Sequence, residues 1–187
     1  MRRVIYVMLS AGAALALSAV PARADGFVNP WAGVQFGSSA DNGRGAFGVT
    51  AGGMGAGIIG GEFDFGYSPS FFGTQNDFGH NSVINFMGNV IVGVPIGGTR
   101  GAGVRPFVTG GLGLIRTQID GGTIAQVSSS NNQLGWDLGA GVMGYFNDHV
   151  GVRGDVRYFR DINGDILNNI DLGTLHFWRL SAGVVLR

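Results

Sequence analysis

Several short stretches carry residue types at spacings that chemistry uses. His80-Asn81-Ser82 would set an imidazole and a hydroxyl on one face of an extended strand, the pairing by which a base activates a hydroxyl for acyl transfer. No acid follows at a distance that could orient the imidazole in the same or the next predicted strand, and the pair sits at a loop edge. Asp161, Asn163 and Asp165 share the 1, 3, 5 spacing of an oxygen-ligand calcium loop. The sixth position is Ile166, where the turn needs Gly, and the twelfth is Leu172, where a bidentate Glu belongs. A solvated acidic loop is the better reading, with weak divalent binding by Asp161, Asp165 and Asp171 at the surface left open. Gly55-Ala56-Gly57-Ile58-Ile59-Gly60 and Gly139 to Gly144 match the dinucleotide G-x-G-x-x-G pattern. Neither opens a helix in a βαβ unit, and a chain with 36 glycines produces such matches by chance. His149 and His176 are isolated, and cysteine is absent, which excludes thiolate metal sites and disulfides. These residues point to no catalytic site, no metal and no cofactor.

A fifth pattern says more. From Val150 to Phe159 charged residues recur at alternate positions in an apolar and glycine run. In an extended strand, period two puts Arg153, Asp155 and Arg157 on one face and Val152, Val156 and Tyr158 on the other. One side is ionic and the other suits hydrocarbon.

The chain start supplies a context. Arg2 and Arg3 precede an uncharged, mostly apolar run from Val4 to Val20, and Ala22-Arg23-Ala24 fits a small-x-small cleavage site. Residues 1–24 are therefore expected to be a cleaved signal peptide, with the mature domain over 25–187; the alternative is an uncleaved anchor. No later apolar run approaches the ~20 residues of a spanning helix, so any further spanning must use strands. Charged residues are only 13% of the chain, about half the ~25% usual in soluble domains. A net charge of zero gives no support to nucleic acid as a partner. All twelve basic residues are Arg, which suits buried two-pronged pairing with carboxylates; a GC-rich genome would give the same bias.

Glycine interleaved with Val, Ile, Phe and Leu is poor for helices and acceptable in tightly curved strands. The pattern predicts strands over 28–37, 44–54, 57–67, 82–94, 104–117, 133–146, 150–160 and 174–187. Longer joins (38–43, 68–81, 118–132, 161–173) alternate with tighter ones (55–56, 95–103, 147–149), the parity of a barrel inserted from the periplasm. Gln126 to Gln133 reads as a loop tip, and Asn147-Asp148 as a tight turn.

Facing follows from period two. Outward fall Val34, Phe36, Phe63, Phe65, Ile84, Phe86, Val90, Val92, Val108, Leu112, Leu114, Leu138, Val142, Val152, Val156, Leu180, Val184 and Leu186. Tyr67, Trp136, Tyr158 and Trp178 near the loop end, with Trp31 and Phe146 near the turn end, resemble two aromatic girdles. Inward fall Gln35, Asn85, Asn89, Thr109 and Ser181, and the charged set Glu62, Asp64, Arg105, Asp137, Arg153, Asp155, Arg157 and Arg179. Acids and arginines nearly balance, so this set is expected to form a paired structural network, because an unpaired buried charge costs several kcal/mol. A soluble barrel with the faces inverted is disfavoured, since too few charges exist to cover a wet outer surface.

The segments Gly61-Glu62-Phe63-Asp64-Phe65-Gly66-Tyr67, Arg105-Pro106-Phe107, Gly139-Ala140-Gly141-Val142-Met143-Gly144, Arg153-Gly154-Asp155-Val156-Arg157-Tyr158 and the closing Phe177-Trp178-Arg179 resemble the small outer-membrane β-barrel family. That family includes outer-membrane protein X, the opacity adhesins and the transmembrane domain of outer-membrane protein A. The resemblance runs from about Trp31 to Arg187. It implies an all-β, eight-stranded antiparallel up-and-down transmembrane β-barrel in a Gram-negative outer membrane, without cofactor. Implied partners are outer-membrane lipid and lipopolysaccharide, the outer-membrane assembly machinery and an extracellular partner meeting the loops. One departure is the end at Leu186-Arg187, where the family usually closes on an aromatic residue; either the assembly signal is a variant or a last residue is missing. Three function classes follow: a structural and surface-interaction protein, favoured here and not an enzyme; a narrow conduit for small or hydrophobic molecules; and a lipid A hydrolase using Ser82.

Overall fold

Alternation of large apolar and small or charged residues, with few helix formers, gives strands throughout the described part of the chain. The computed structural model describes residues 24–37, 40–71, 81–119, 129–162 and 175–187. They form β1 (Ala24–Gly37), β2 (Ala40–Gly55), β3 (Ile59–Pro69), β4 (Asn81–Gly93), β5 (Gly103–Ile119), β6 (Ser129–Tyr145), β7 (Val150–Asp161) and β8 (His176–Leu186). Each strand pairs antiparallel with the next, and β1 pairs with β8 to close an eight-stranded barrel. Closure leaves no sheet edge, which a chain in hydrocarbon requires because lipid offers no hydrogen bonds.

The predicted facing holds along the strands except at Trp31 on β1. Val108, Leu112, Leu138 and Leu180 stand on the outside with more than half their surface open, whereas Glu62, Asp64, Asp137 and Arg157 are buried inside. Joins 56–58, 94–102 and 146–149 lie at one end, here the turn end; the joins after β1, β3, β5 and β7 lie at the other, the loop end. At the turn end Asn147 Oδ1 accepts from the backbone N–H groups of His149 (2.8 Å) and Val150 (2.9 Å), the expected Asn-led tight turn.

Two loop expectations are corrected. The join expected over 38–43 shrinks to 38–39, since β1 and β2 continue to a Gly37–Ala40 pair. The polar segment expected as a loop tip is strand from Ser129 onward, with Ser130, Asn131 and Asn132 opposite Gln118, Thr117 and Arg116. The cause is common to both. The backbone ladder continues past the apolar band, where a polar residue type does not mean loss of pairing.

Candidate functional site

Four strands bring the charged groups together. Glu62 and Asp64 come from β3, Asp137 from β6, and Arg153, Asp155 and Arg157 from β7, with Arg179 added by β8. Register places Arg157 between Gly139 and Arg179, and Asp155 between Gly141 and Ser181. The glycines make room: a Cβ on Gly139 would lie 2.6 Å from the Arg157 side chain, and one on Gly141 would lie 2.6 Å from Asp155 Cβ. Thus Gly139 and Gly141 of the Gly139–Gly144 pattern serve lumen packing.

Arg157 is the hub of the network. Its guanidinium reaches Glu62 at 2.8 Å, Asp155 at 3.3 Å, Asp137 at 3.4 Å and Asp64 at 4.0 Å. Arg153 donates to Glu62 (2.8 Å) and to Asp155 (2.9 Å), which lies on the same strand face two residues on. Arg179 Nη1 lies 2.8 Å from Asp64, a charge contact without the alignment of a hydrogen bond. Neutral donors complete the carboxylates: Thr109 to Glu62 (2.9 Å), Thr50 to Asp64 (2.8 Å), Asn89 to Asp137 (3.0 Å) and Ser181 to Asp155 (2.9 Å). Asp137 is the least supported, with Oδ1 lacking a protein partner.

Apolar layers close the band at both ends. Phe27, Met54, Ile91, Phe107 and Met143 pack together toward the turn end. Phe71, Met87, Ile115, Phe159 and Phe177 do so toward the loop end, where Phe159 and Phe177 stack with ring centroids 4.9 Å apart. The guanidiniums couple the layers, Arg153 lying 4.4 Å over the Phe107 ring and Arg179 5.0 Å over Phe159. These inward apolar residues were absent from the expected lumen, although the same period two marks them.

Three expectations change here, and one residue is added. Trp31 is not in a girdle: it is buried, with the Arg179 guanidinium 4.0 Å over its ring. With Val34 and Phe36 outward and β1 regular from Val28 to Gln35, position 31 can only face the lumen. Arg105 is inside but apart from the network, and among the described residues it makes no ion pair. It points to Met54 Sδ at 3.8 Å and lies 5.4 Å over Tyr145, whose ring also carries Arg187 at 3.8 Å. Arg187, missed in the sequence, also donates to the Thr99 carbonyl at 3.0 Å and so ties the turn end. Asp161 is not solvated but turned inward and buried.

Asn163, Asp165 and Asp171, like His80, lie outside the described residues. Ser82 stands half-buried on the outer row with Ile84 and Phe86. Among the described residues no cluster of three or more His, Asp or Glu could hold a metal ion. Of the remaining aromatics, Tyr67 is half-buried at the loop end beside Phe47, Phe146 is exposed at the turn end, and Trp136, Tyr158 and Trp178 form a contiguous outer row.

The profile of the family described as "Outer membrane protein beta-barrel domain" matches residues 9–186. Among solved structures, the barrel is similar to Neisserial surface protein A, at 18% identity and a TM-score of 0.60, covering 87% of this chain and 96% of that one. It is also similar to the N-terminal barrel domain of Pseudomonas aeruginosa OprF (15%, TM-score 0.51, covering 88% and 98%). The attachment invasion locus protein Ail of Yersinia pestis matches at 13% identity and a TM-score of 0.52, covering 86% and 97%. A further structure holds Ail in complex with the heparin analogue sucrose octasulfate. No curated protein matches the chain in sequence.

Proposed function

The chain belongs to the outer membrane protein β-barrel domain family of Gram-negative outer membranes, and from that premise we propose that it is a closed, non-conducting and non-enzymatic barrel that anchors interaction loops at the cell surface. The observation that carries this reading is the filled lumen. A solute would have to pass two apolar layers and, between them, Arg157 held by four carboxylates. Eight strands leave an interior about wide enough for side chains alone. The charged residues act as scaffold, the outer aromatics as interfacial anchors, and the loops as the part that meets a partner. Binding of a sulfated saccharide analogue by the similar Ail barrel is in keeping with such a role. Planar-bilayer recording of the mature chain is the test: a silent bilayer is expected, and steady unitary currents altered by changing Arg157 would establish the conduit reading instead.

A further inference from the structure

The seam that closes the barrel is thin and interrupted. Among the described residues β1 and β8 pair at seven positions, Val28 with Leu186 and Trp31–Phe36 with Trp178–Gly183, against thirteen between β1 and β2 and eleven between β7 and β8. The gap falls at Asn29 and Pro30, although the register is the same on its two sides. Its cause is local. The Pro30 carbonyl lies toward Gly183, so position 30 turns its backbone to β8, and proline has no N–H to give there. On the turn-end side of the gap Val28–Leu186 is the one pair among the described residues. Beside it an open cleft is lined by Gly26, Phe27, Val28, Ala51, Leu186 and Arg187.

A side chain holds this end where the ladder does not. Arg187 reaches three elements besides its own strand. Its Nη1 donates to the Thr99 carbonyl of join 94–102 at 3.0 Å, its guanidinium covers the Tyr145 ring of β6 at 3.8 Å, and its Nη2 lies 4.0 Å from Asp25 of β1. The join bends back at Gly97, Gly98 and Gly101, whose φ angles of 91°, 103° and 75° favour glycine. It is tied in turn to the β6–β7 turn, where the Gly101 N–H donates to Asp148 at 2.6 Å. Arg187 thus fastens the end of β8 to the rim of the barrel at the place where pairing with β1 is broken.

Stability within a fold is uneven, and units held by few backbone bonds open first. We infer that the turn-end part of the β1–β8 seam is such a unit: Val28 and Leu186 part while the seam on the loop-end side of Pro30 stays closed, and Arg187 is the clasp that sets how often this happens. The device is separate from the lumen network, whose β8 member, Arg179, pairs with Gln35 on the other side of the gap.

Amide exchange followed by NMR on the mature full chain, labelled with nitrogen-15 in phosphatidylcholine nanodiscs, is the test. Antiparallel alternation aims the backbone groups of Val28 and Leu186 at each other. It does the same for Val34 and Leu180 in this seam, and for Gly144 and Val152 at the same end of the β6–β7 seam. Val28 and Leu186 are expected to exchange about tenfold faster than either reference pair, the factor that one missing hydrogen bond supplies. Arg187→Gln should speed them about tenfold more, by loss of a charged donor to the Thr99 carbonyl, and leave Val34 and Leu180 unchanged. Pro30→Val, which restores the donor, should slow them, and Arg100→Ala, on the same join, should change nothing. Heat-modifiable gel migration certifies that each variant is folded. Val28 and Leu186 exchanging no faster than Gly144 and Val152, unaltered rates in folded Arg187→Gln, or unslowed rates in folded Pro30→Val overturns the inference. So does equal acceleration of Val34 and Leu180 by Arg187→Gln, which would mean that the barrel opens as a whole.

Discussion

Replacing Arg157 by Met tests the lumen network at its hub. The methionine fills most of the volume but leaves four carboxylates, Glu62, Asp64, Asp137 and Asp155, facing two guanidiniums. Glu62 and Asp155 keep Arg153, and Asp64 keeps Arg179. Asp137 keeps only the Asn89 amide at 3.0 Å, its other oxygen already lacking a protein partner. Removing one partner of a buried pair costs about 3–5 kcal/mol, because the other charge stays buried. Reversible urea unfolding in lipid vesicles, followed by tryptophan emission and by heat-modifiable migration, should show a loss of that size. Asp137→Asn in the Arg157→Met background should restore about 1–3 kcal/mol, the coupling usual for groups in one network. Arg105→Met is the control: with no ion pair to lose, stability should stay within about 1 kcal/mol of the parent. An Arg157→Met barrel as stable as that control, or a double variant no better than the single, would refute the view that these charges hold one another.

Tryptophan environment separates the two faces, since the chain has only three such residues, Trp31, Trp136 and Trp178. In single-tryptophan variants, brominated lipid should quench Trp136 and Trp178 strongly and Trp31 little. A Cβ on Gly139 would collide with Arg157, whereas one on Gly144 meets nothing nearer than Val152 Cγ2 at 3.7 Å. Gly139→Ala should therefore cost about 1–3 kcal/mol by overpacking and Gly144→Ala little, as read by the urea midpoint. Intact mass of the outer-membrane form should match a chain starting at Asp25; a mass that retains residues 1–24 would show that the leader stays attached.

Facing was legible in the sequence because period two is local: Arg153, Asp155 and Arg157 alternate with Val152, Gly154 and Val156 whatever the partner strands do. Trp31 was misplaced when a composition rule, aromatics at interfaces, was set above the alternation that Val34 and Phe36 impose. The network could be counted but not drawn. Sign balance cannot tell that Arg105 lies beside Met54 and Tyr145 while Arg157 meets four acids, because that depends on the stagger of strands around the cylinder. The limits of β2 and β6 were hidden for another reason. Hydrophobic patterning marks where a strand crosses lipid, and the ladder extends beyond it through residues such as Asn131 and Asn132.

Acids and cations are unevenly ordered along the chain. Glu62, Asp64 and Asp137 are laid down on β3 and β6, whereas Arg153, Arg157 and Arg179 all arrive on β7 and β8. A nascent sheet lacking its last hairpin therefore presents Glu62, Asp64 and Asp137 without the three arginines that face them in the closed barrel. Unpaired carboxylates are costly in an apolar medium, so the final hairpin is the element that completes the charge balance of the lumen.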